Sequence, residues 1–404
     1  MRSRYEYTDI HIDISQWGVY WVTAGVWASV AGLMIFFPIT TLFNTISLTG
    51  IFLALALIAT GGLAAVLIFS MASLNVVRAG YRFSCCLYKV ERRLRWLTFL
   101  FVILALVEFL YAGYVPLLSM ALGRSISHFA FGIPSLHGMV LSLGATLATG
   151  WFFVYLAGER QKFKLAAVVM ILIVFALFVS RKMIMVTIFQ ALLMLLMFDR
   201  TVKTKLVVIG CGVIGVLLFG VIGDIRTGRN VIIGLSRLKV EYPEFLPTGL
   251  LWFYIYVTTP LANLVNAMQL SLPATYSFSF LGGLLPTDSI REFFFPGANY
   301  SGELAFDNYY QISDSFNVGT GFVKFYESFG AVGVFLSSSV FYGVTVFFLN
   351  FTRSVAGFLS FIVCFQCLSF LIFANNFLNL NTIFQIFFLY FIVGGVRFGG
   401  TGAS

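Results

Sequence analysis

GLLWFYIYVTTPLANLVNAM, residues 249–268, is an apolar run of the length that crosses a bilayer as one helix, and Pro260 divides it. Its reading decides the architecture. The run lies within residues 223–330, whose flanking spans open on the same side, so parity allows either no crossing or two inside that stretch. Two crossings give twelve spans and none gives ten. We read 249–268, with the apolar SFSFLGGLLP at 277–286, as interfacial or re-entrant helix tucked against a ten-span bundle.

Working outward, the 404 residues are 60% hydrophobic and only 10% charged, with a mean hydropathy of +0.95. Soluble domains carry about 25% charged residues, so the chain belongs in a membrane. The expected spans are 17–37, 51–70, 96–116, 136–157, 165–180, 183–198, 206–222, 331–350, 355–375 and 380–396. The expected fold is therefore all-α, a polytopic transmembrane helical bundle of about 10–12 spans. It divides into about seven N-terminal spans (1–222), one large loop with interfacial helices (223–330) and about three C-terminal spans (331–404). Residues 1–16 mix Arg2 and Arg4 with Glu6, Asp9 and Asp13, and no small-residue cleavage site follows, so the first apolar run reads as a retained span.

Short loops set the orientation. Arg78, Arg82, Lys89, Arg92, Arg93 and Arg95 fall in 71–95, Arg160, Lys162 and Lys164 in 158–164, and Arg200, Lys203 and Lys205 in 199–205. They alternate with 38–50, which has no base, and 117–135, which has only Arg124. The basic loops are expected in the cytoplasm, with both termini. The long stretch then faces outward, and GDIRTGRNVIIGLSRLK, 223–239, carries Arg226, Arg229, Arg237 and Lys239 against the trend. Cys85 and Cys86 lie in a basic loop and Cys211, Cys364 and Cys367 in apolar runs, so no disulfide framework is expected.

The sequence lacks a GxxxxGK phosphate loop, an HExxH pair, paired CxxC motifs and any two Asp at i and i+2. No metal, cofactor or nucleic acid is expected. An anionic substrate would be held by bases alone. Arg181 and Lys182 interrupt a long apolar stretch as a tight outer turn, where they either anchor lipid headgroups or bind substrate. Arg226 and Arg229 are three residues apart, and guanidinium groups bind phosphate oxygens in bidentate fashion at roughly 1.5 to 3 kcal/mol per charge-assisted bond. Arg291 is a further outer-face base. Between 288 and 327, acids including Asp314 and Glu327 alternate with aromatics including Tyr309 and Tyr310, a mixture that suits either sugar binding or an interface belt. His137 opens the fourth span on the outer side, as a structural residue or a base. Glu108, deep in the third span, must be paired or protonated.

Four motifs recur together in one family: FGIPSLHG (131–138), SRKMIM (180–185), GDIRTG (223–228) and NVGTGFVKFYESFGAVG (317–333). In these motifs and their order the chain resembles the oligosaccharide repeat unit polymerases, the Wzy type O-antigen and related polysaccharide polymerases, along nearly its whole length. It departs from them at Glu327, where an Asp is expected. The resemblance implies a GT-C-like helical bundle in the bacterial inner membrane with a periplasmic active site. It implies transfer of a glycan from undecaprenyl pyrophosphate to the terminal sugar of another lipid-linked repeat unit, without metal, and alongside a flippase and a chain-length regulator. It places the pyrophosphate on Arg181, Arg226 and Arg229, with Arg291 added from the loop charges. His137 is then the expected base, with Glu327 and Asp314 as runners-up. An O-antigen ligase needs the same pyrophosphate grip and differs in giving a single capped product. A flippase or transporter of lipid-linked oligosaccharide would carry ionisable residues through several spans, whereas Glu108 stands almost alone.

Overall fold

A computed structural model describes residues 9–10, 15–72, 81–82, 87–122, 131–158, 160–199, 201–271, 274–285, 288–294, 311–316, 318–350 and 354–394. Tyr309 and Tyr310 lie outside the described residues. The helices are α1 (Gln16–Phe36), α2 (Leu48–Ala72), α3 (Leu87–Ala112), α4 (Pro116–Ala121), α5 (Leu136–Ala157), α6 (Lys162–Leu177) and α7 (Arg181–Phe198). They continue with α8 (Val202–Thr227), α9 (Arg229–Leu235), α10 (Thr248–Gln269), α11 (Asp288–Phe294), α12 (Val323–Asn350), α13 (Val355–Ser369) and α14 (Leu380–Val393). A two-residue antiparallel ladder pairs Asp9–Ile10 with Tyr81–Arg82. Among the described residues, α1, α2, α3, α5, α7, α10, α12 and α13 are long and apolar enough to cross a membrane. The chain is a multi-pass membrane helical bundle.

Side-chain contacts sort the helix ends into two faces. On one, Ser70 bonds Gln16 at 2.8 Å, Arg93 donates to the Ile392 carbonyl at 3.0 Å and Lys164 approaches Glu91 at 3.9 Å. This is the basic face, which also carries Lys203 and Lys205. On the other, the loop face, residues 37–47 bridge Leu238 through Thr40, and Gly138 meets Asn381. Several helices outrun their expected spans. Helix α3 begins at Leu87 because its Lys, Arg and Glu residues favour helix beyond the apolar stretch. Helix α12 begins at Val323, but Gly330 at φ 62° kinks it just before the expected start at 331.

Helix α10 has the length of a span, and two of its side chains reach the segment that joins α1 to α2. Tyr254 donates to the Phe37 carbonyl at 2.7 Å near one end. At the other, Gln269 donates to the Thr45 carbonyl at 3.0 Å and accepts from the Ser47 amide at 3.1 Å. Between them, Asn263 donates to Phe316 and Val318 and accepts from Ile312, closing the 311–318 segment over the helix. The N-terminal end dips into the bundle: Gly249 sits against the backbone of Gly220 and Val216 in α8, and Thr248 bonds Asp224. Such close backbone approach needs small residues on both helices. A Cβ on Gly220 would collide with the Gly249 backbone, whereas one on Gly215 meets open space.

The bundle centre is α13, whose side chains are buried along its length. It is held by amides as well as by packing. Gln190 donates to Gln366 at 3.2 Å and Gln385 at 3.3 Å, Gln385 donates back at 2.8 Å, and Thr149 donates to Gln190 at 2.7 Å. These bonds tie α5, α7, α13 and α14 together at mid-depth, each contributing on the order of 0.6 to 2 kcal/mol in a membrane.

Two outcomes follow. Cysteines placed at Glu244 and Ser271, beyond the two ends of α10, should react with a membrane-impermeant maleimide from the same side as one at Thr41, and Lys203→Cys from the other; opposite-side labelling of 244 and 271 would make α10 a span. Gly220→Leu should destabilise the detergent-solubilised protein by roughly 1 to 3 kcal/mol or more through overpacking, and Gly215→Leu should leave its thermal unfolding unchanged.

Candidate functional site

Helix α5 opens on a tight entry. Gly132 has φ 91° and Ser135 φ 67°, and the His137 amide donates to the Ile133 carbonyl at 3.0 Å. A Cβ at Gly132 would lie 2.9 Å from the His137 Cβ, Cγ and Nδ1, so glycine is required for both backbone and imidazole. The ring is wedged edge-on between Phe131 at 5.5 Å and Phe178 at 5.2 Å. Its Nδ1 lies 2.7 Å from Glu108 Oε2 of α3; the Glu108 side chain is 0% exposed and that of His137 24%. Glu108 Oε1 has no partner. An ionised carboxylate only accepts, so opposite an ionised Glu108 it is Nδ1 that would carry the proton and Nε2 that would keep a lone pair. The buried acid thus orients an imidazole at the loop face.

The next residues around the site come from α14 and α7. Asn379 caps α14 by accepting the Asn381 amide at 2.9 Å. The Asn381 Oδ1 lies 3.0 Å from where a Gly138 Cβ would stand, so the start of α14 abuts the residue after His137. Thr382 Oγ1 lies 3.9 Å from Cys367 Sγ, and the Lys182 ammonium is within electrostatic range of that thiol. Lys182 and Arg181 open α7 directly after the turn that carries Phe178, the residue against the His137 ring. The N-terminus of α14 therefore abuts the residue after His137, and its Thr382 abuts Cys367, within whose electrostatic range Lys182 lies. The Asn381, Thr382 and Ile383 amides are already bonded to Asn379, so what would favour an anion nearby is the charge of the α7 cations.

The other expected residues are placed elsewhere. Arg229 donates from Nη2 to the carbonyls of Glu244 at 3.0 Å, Leu246 at 3.3 Å and Pro243 at 3.4 Å, and its guanidinium lies 5.8 Å from the Tyr242 ring centroid. It clamps the 242–247 segment, and burial pushes the Tyr242 phenol up against the lowering effect of the Arg229 charge. Arg226 lies in the last turn of α8, on whose backbone the described structure ends for that residue. Arg291 donates to the Leu285 carbonyl at 3.1 Å. Glu327 pairs with Lys324 at 2.9 Å on the short helical piece before the Gly330 kink. Asp314 is exposed on the segment that Asn263 holds. Of the ten residues expected at the site, His137 is tied through Phe178 to the turn that opens into Arg181 and Lys182. No bond among the described residues links them to Arg229, Glu327 or Asp314.

Sequence reasoning passed over Asn379, Asn381, Thr382 and the three buried glutamines. The available signal was amides in otherwise apolar spans, which is a functional or structural mark in lipid. Two more buried amides on the loop-face segments, Asn376 through Oδ1 and Gln311 through both polar atoms, have no partners. Among the described residues no group of three His, Cys, Asp or Glu has metal-holding geometry.

Removing the imidazole alone should leave a buried carboxylate unpaired. His137→Ala should therefore destabilise the protein by about 3 kcal/mol or more, and adding Glu108→Leu should recover most of the loss, because removing both partners removes the orphan. Thermal unfolding of the four variants checks it; an unaltered Tm for His137→Ala would show that the pair contributes nothing.

No family model, curated protein or solved structure matches this chain, so the site rests on its own residues.

Proposed function

We propose that the chain is a bacterial inner-membrane glycosyltransferase of the polysaccharide polymerase kind, with the loop face in the periplasm. In this reading the donor is a glycan on undecaprenyl pyrophosphate and the acceptor is the terminal sugar of another lipid-linked repeat unit. The observation that carries the reading is that the Glu108-held His137 packs on Phe178, in the turn that opens into Arg181 and Lys182, while the start of α14 abuts Gly138.

The chemistry follows from those groups. Lys182 and Arg181 hold the diphosphate and offset the charge it gains as the bond from the anomeric carbon to its oxygen breaks. The electron pair leaves on that oxygen. The acceptor hydroxyl forms the new bond at the anomeric carbon, and its proton passes to His137 Nε2, while Glu108 stabilises the resulting imidazolium through Nδ1. No metal takes part in this scheme. Arg229 contributes by fixing the loop beside α8 rather than by direct contact. A transport reading has less support: among the described residues the buried charged side chains are Glu108 and Lys164, at opposite faces, which makes no relay of ionisable groups.

Lys182→Ala should lower conversion of purified lipid-linked repeat units by roughly 10- to 100-fold, the worth of one charge-assisted bond, while the protein stays folded and inserted. His137→Gln should lower it by about 100-fold or more. The assay reads product size on a gel: a ladder spaced by whole repeat units supports polymerisation, a single capped species supports the ligase reading, and full activity in both variants removes the site.

A further inference from the structure

We infer that the basic face carries a second site, a groove between α3 and α6 that holds an anionic phospholipid. The groove is open along its length, has a volume of about 580 Å³ and is lined by Arg95, Thr98, Phe99, Val102, Trp151 and Phe163. That volume falls within the ~300 to 1,000 Å³ of small-molecule sites. It is remote from the transferase site, lying at the opposite end of the bundle, and stands or falls independently of that reading.

The lining is polar at one end only. Arg95 marks the basic face, and Val102 lies seven residues, about 10 Å, deeper along α3. The single bond between lining side chains, from Trp151 Nε1 to Thr98 Oγ1 at 2.9 Å, satisfies both partners and leaves the floor apolar. Phe163 forms a wall, edge-on to Trp151 at 6.0 Å, with Phe99 exposed along the opening. A molecule that fits such a groove has an apolar chain pointing into the membrane and a head at the level of Arg95.

Charge identifies the head. Arg95 donates from Nη2 to Glu91 at 2.6 Å, and its side chain is 63% exposed. Among the described residues its Nε and Nη1 have no bonding partner, so donors remain for a phosphate. The guanidinium also lies 5.3 Å from the Phe163 ring centroid, which holds it over the groove. Glu91 bonds Arg95, and Lys164 faces it from 3.9 Å, so its charge is already matched. Around them Arg92, Arg160 and Lys162 are exposed, with Asp199 in range of Arg160, so that bases outnumber acids at this face among the described residues. Basic pockets between helices at such a face bind anionic headgroups, at about fivefold in affinity per surface base. A zwitterionic lipid would bring its own cation against Arg95.

The full chain in phosphatidylcholine nanodiscs doped with phosphatidylglycerol tests this by native mass spectrometry. The wild type should retain a phosphatidylglycerol through delipidation that strips phosphatidylcholine. Arg95→Gln should weaken that retention about fivefold, the effect of one base. Val102→Trp fills the groove but keeps the headgroup charges, and should weaken it as well, while Lys203→Gln, on the same face away from the groove, should not. Equal retention of the two lipids, or phosphatidylglycerol held by both groove variants as by the wild type, would overturn the proposal.

Discussion

A carboxylate inside a membrane bundle persists only with a partner, and Glu108 has His137 at 2.7 Å. Much of the loop face is arranged around that pair. It requires a glycine at 132, with φ 91° and no room for a Cβ, to admit the ring. It requires Phe131 and Phe178 as flanking edges, which brings the α6–α7 turn, and with it Arg181 and Lys182, beside α5. It also has α14 starting close to Gly138, with Asn379 capping that start. One paired acid thus accounts for why chemically useful groups from four helices share a neighbourhood.

The same rule, that polar groups in lipid must be satisfied within the protein, explains the rest of the bundle. The glutamine cluster at mid-depth pairs amide with amide across α7, α13 and α14. Helix α10 carries enough apolar surface to cross, and its Asn263, Gln269 and Tyr254 bond to loop-face carbonyls and amides. Pro260 removes one backbone donor inside it and is tolerated because the helix is buried by neighbours rather than by lipid. On the opposite face, arginine stems and aromatic rings leave an apolar groove with a charged rim, the pattern a lipid fits.

Much of the fold was legible in the sequence because a bilayer imposes length and polarity with little ambiguity. Apolar runs marked the long helices, α10 among them. Boundaries were less legible: α3 and α12 extend past their apolar runs through residues that favour helix regardless of lipid. For the site, His137, Glu108, Arg181 and Lys182 stood out singly as polar residues in costly positions. Their convergence did not, since α5 and α14 are far apart in the chain and meet through Gly138, a residue without chemistry of its own. Arg229 shows the converse. Backbone carbonyls leave no mark in a sequence, so an arginine that clamps three of them reads like one awaiting a phosphate.

The central claim is that a lipid-linked diphosphate binds where α5, α7 and α14 meet. Photo-crosslinking with an undecaprenyl diphosphate analogue that carries the reactive group next to its phosphates, followed by peptide mapping, tests it directly. The account expects adducts within 136–138, 180–183 and 379–382. Adducts confined to 226–246, or spread evenly over the lipid-facing helices, would contradict it.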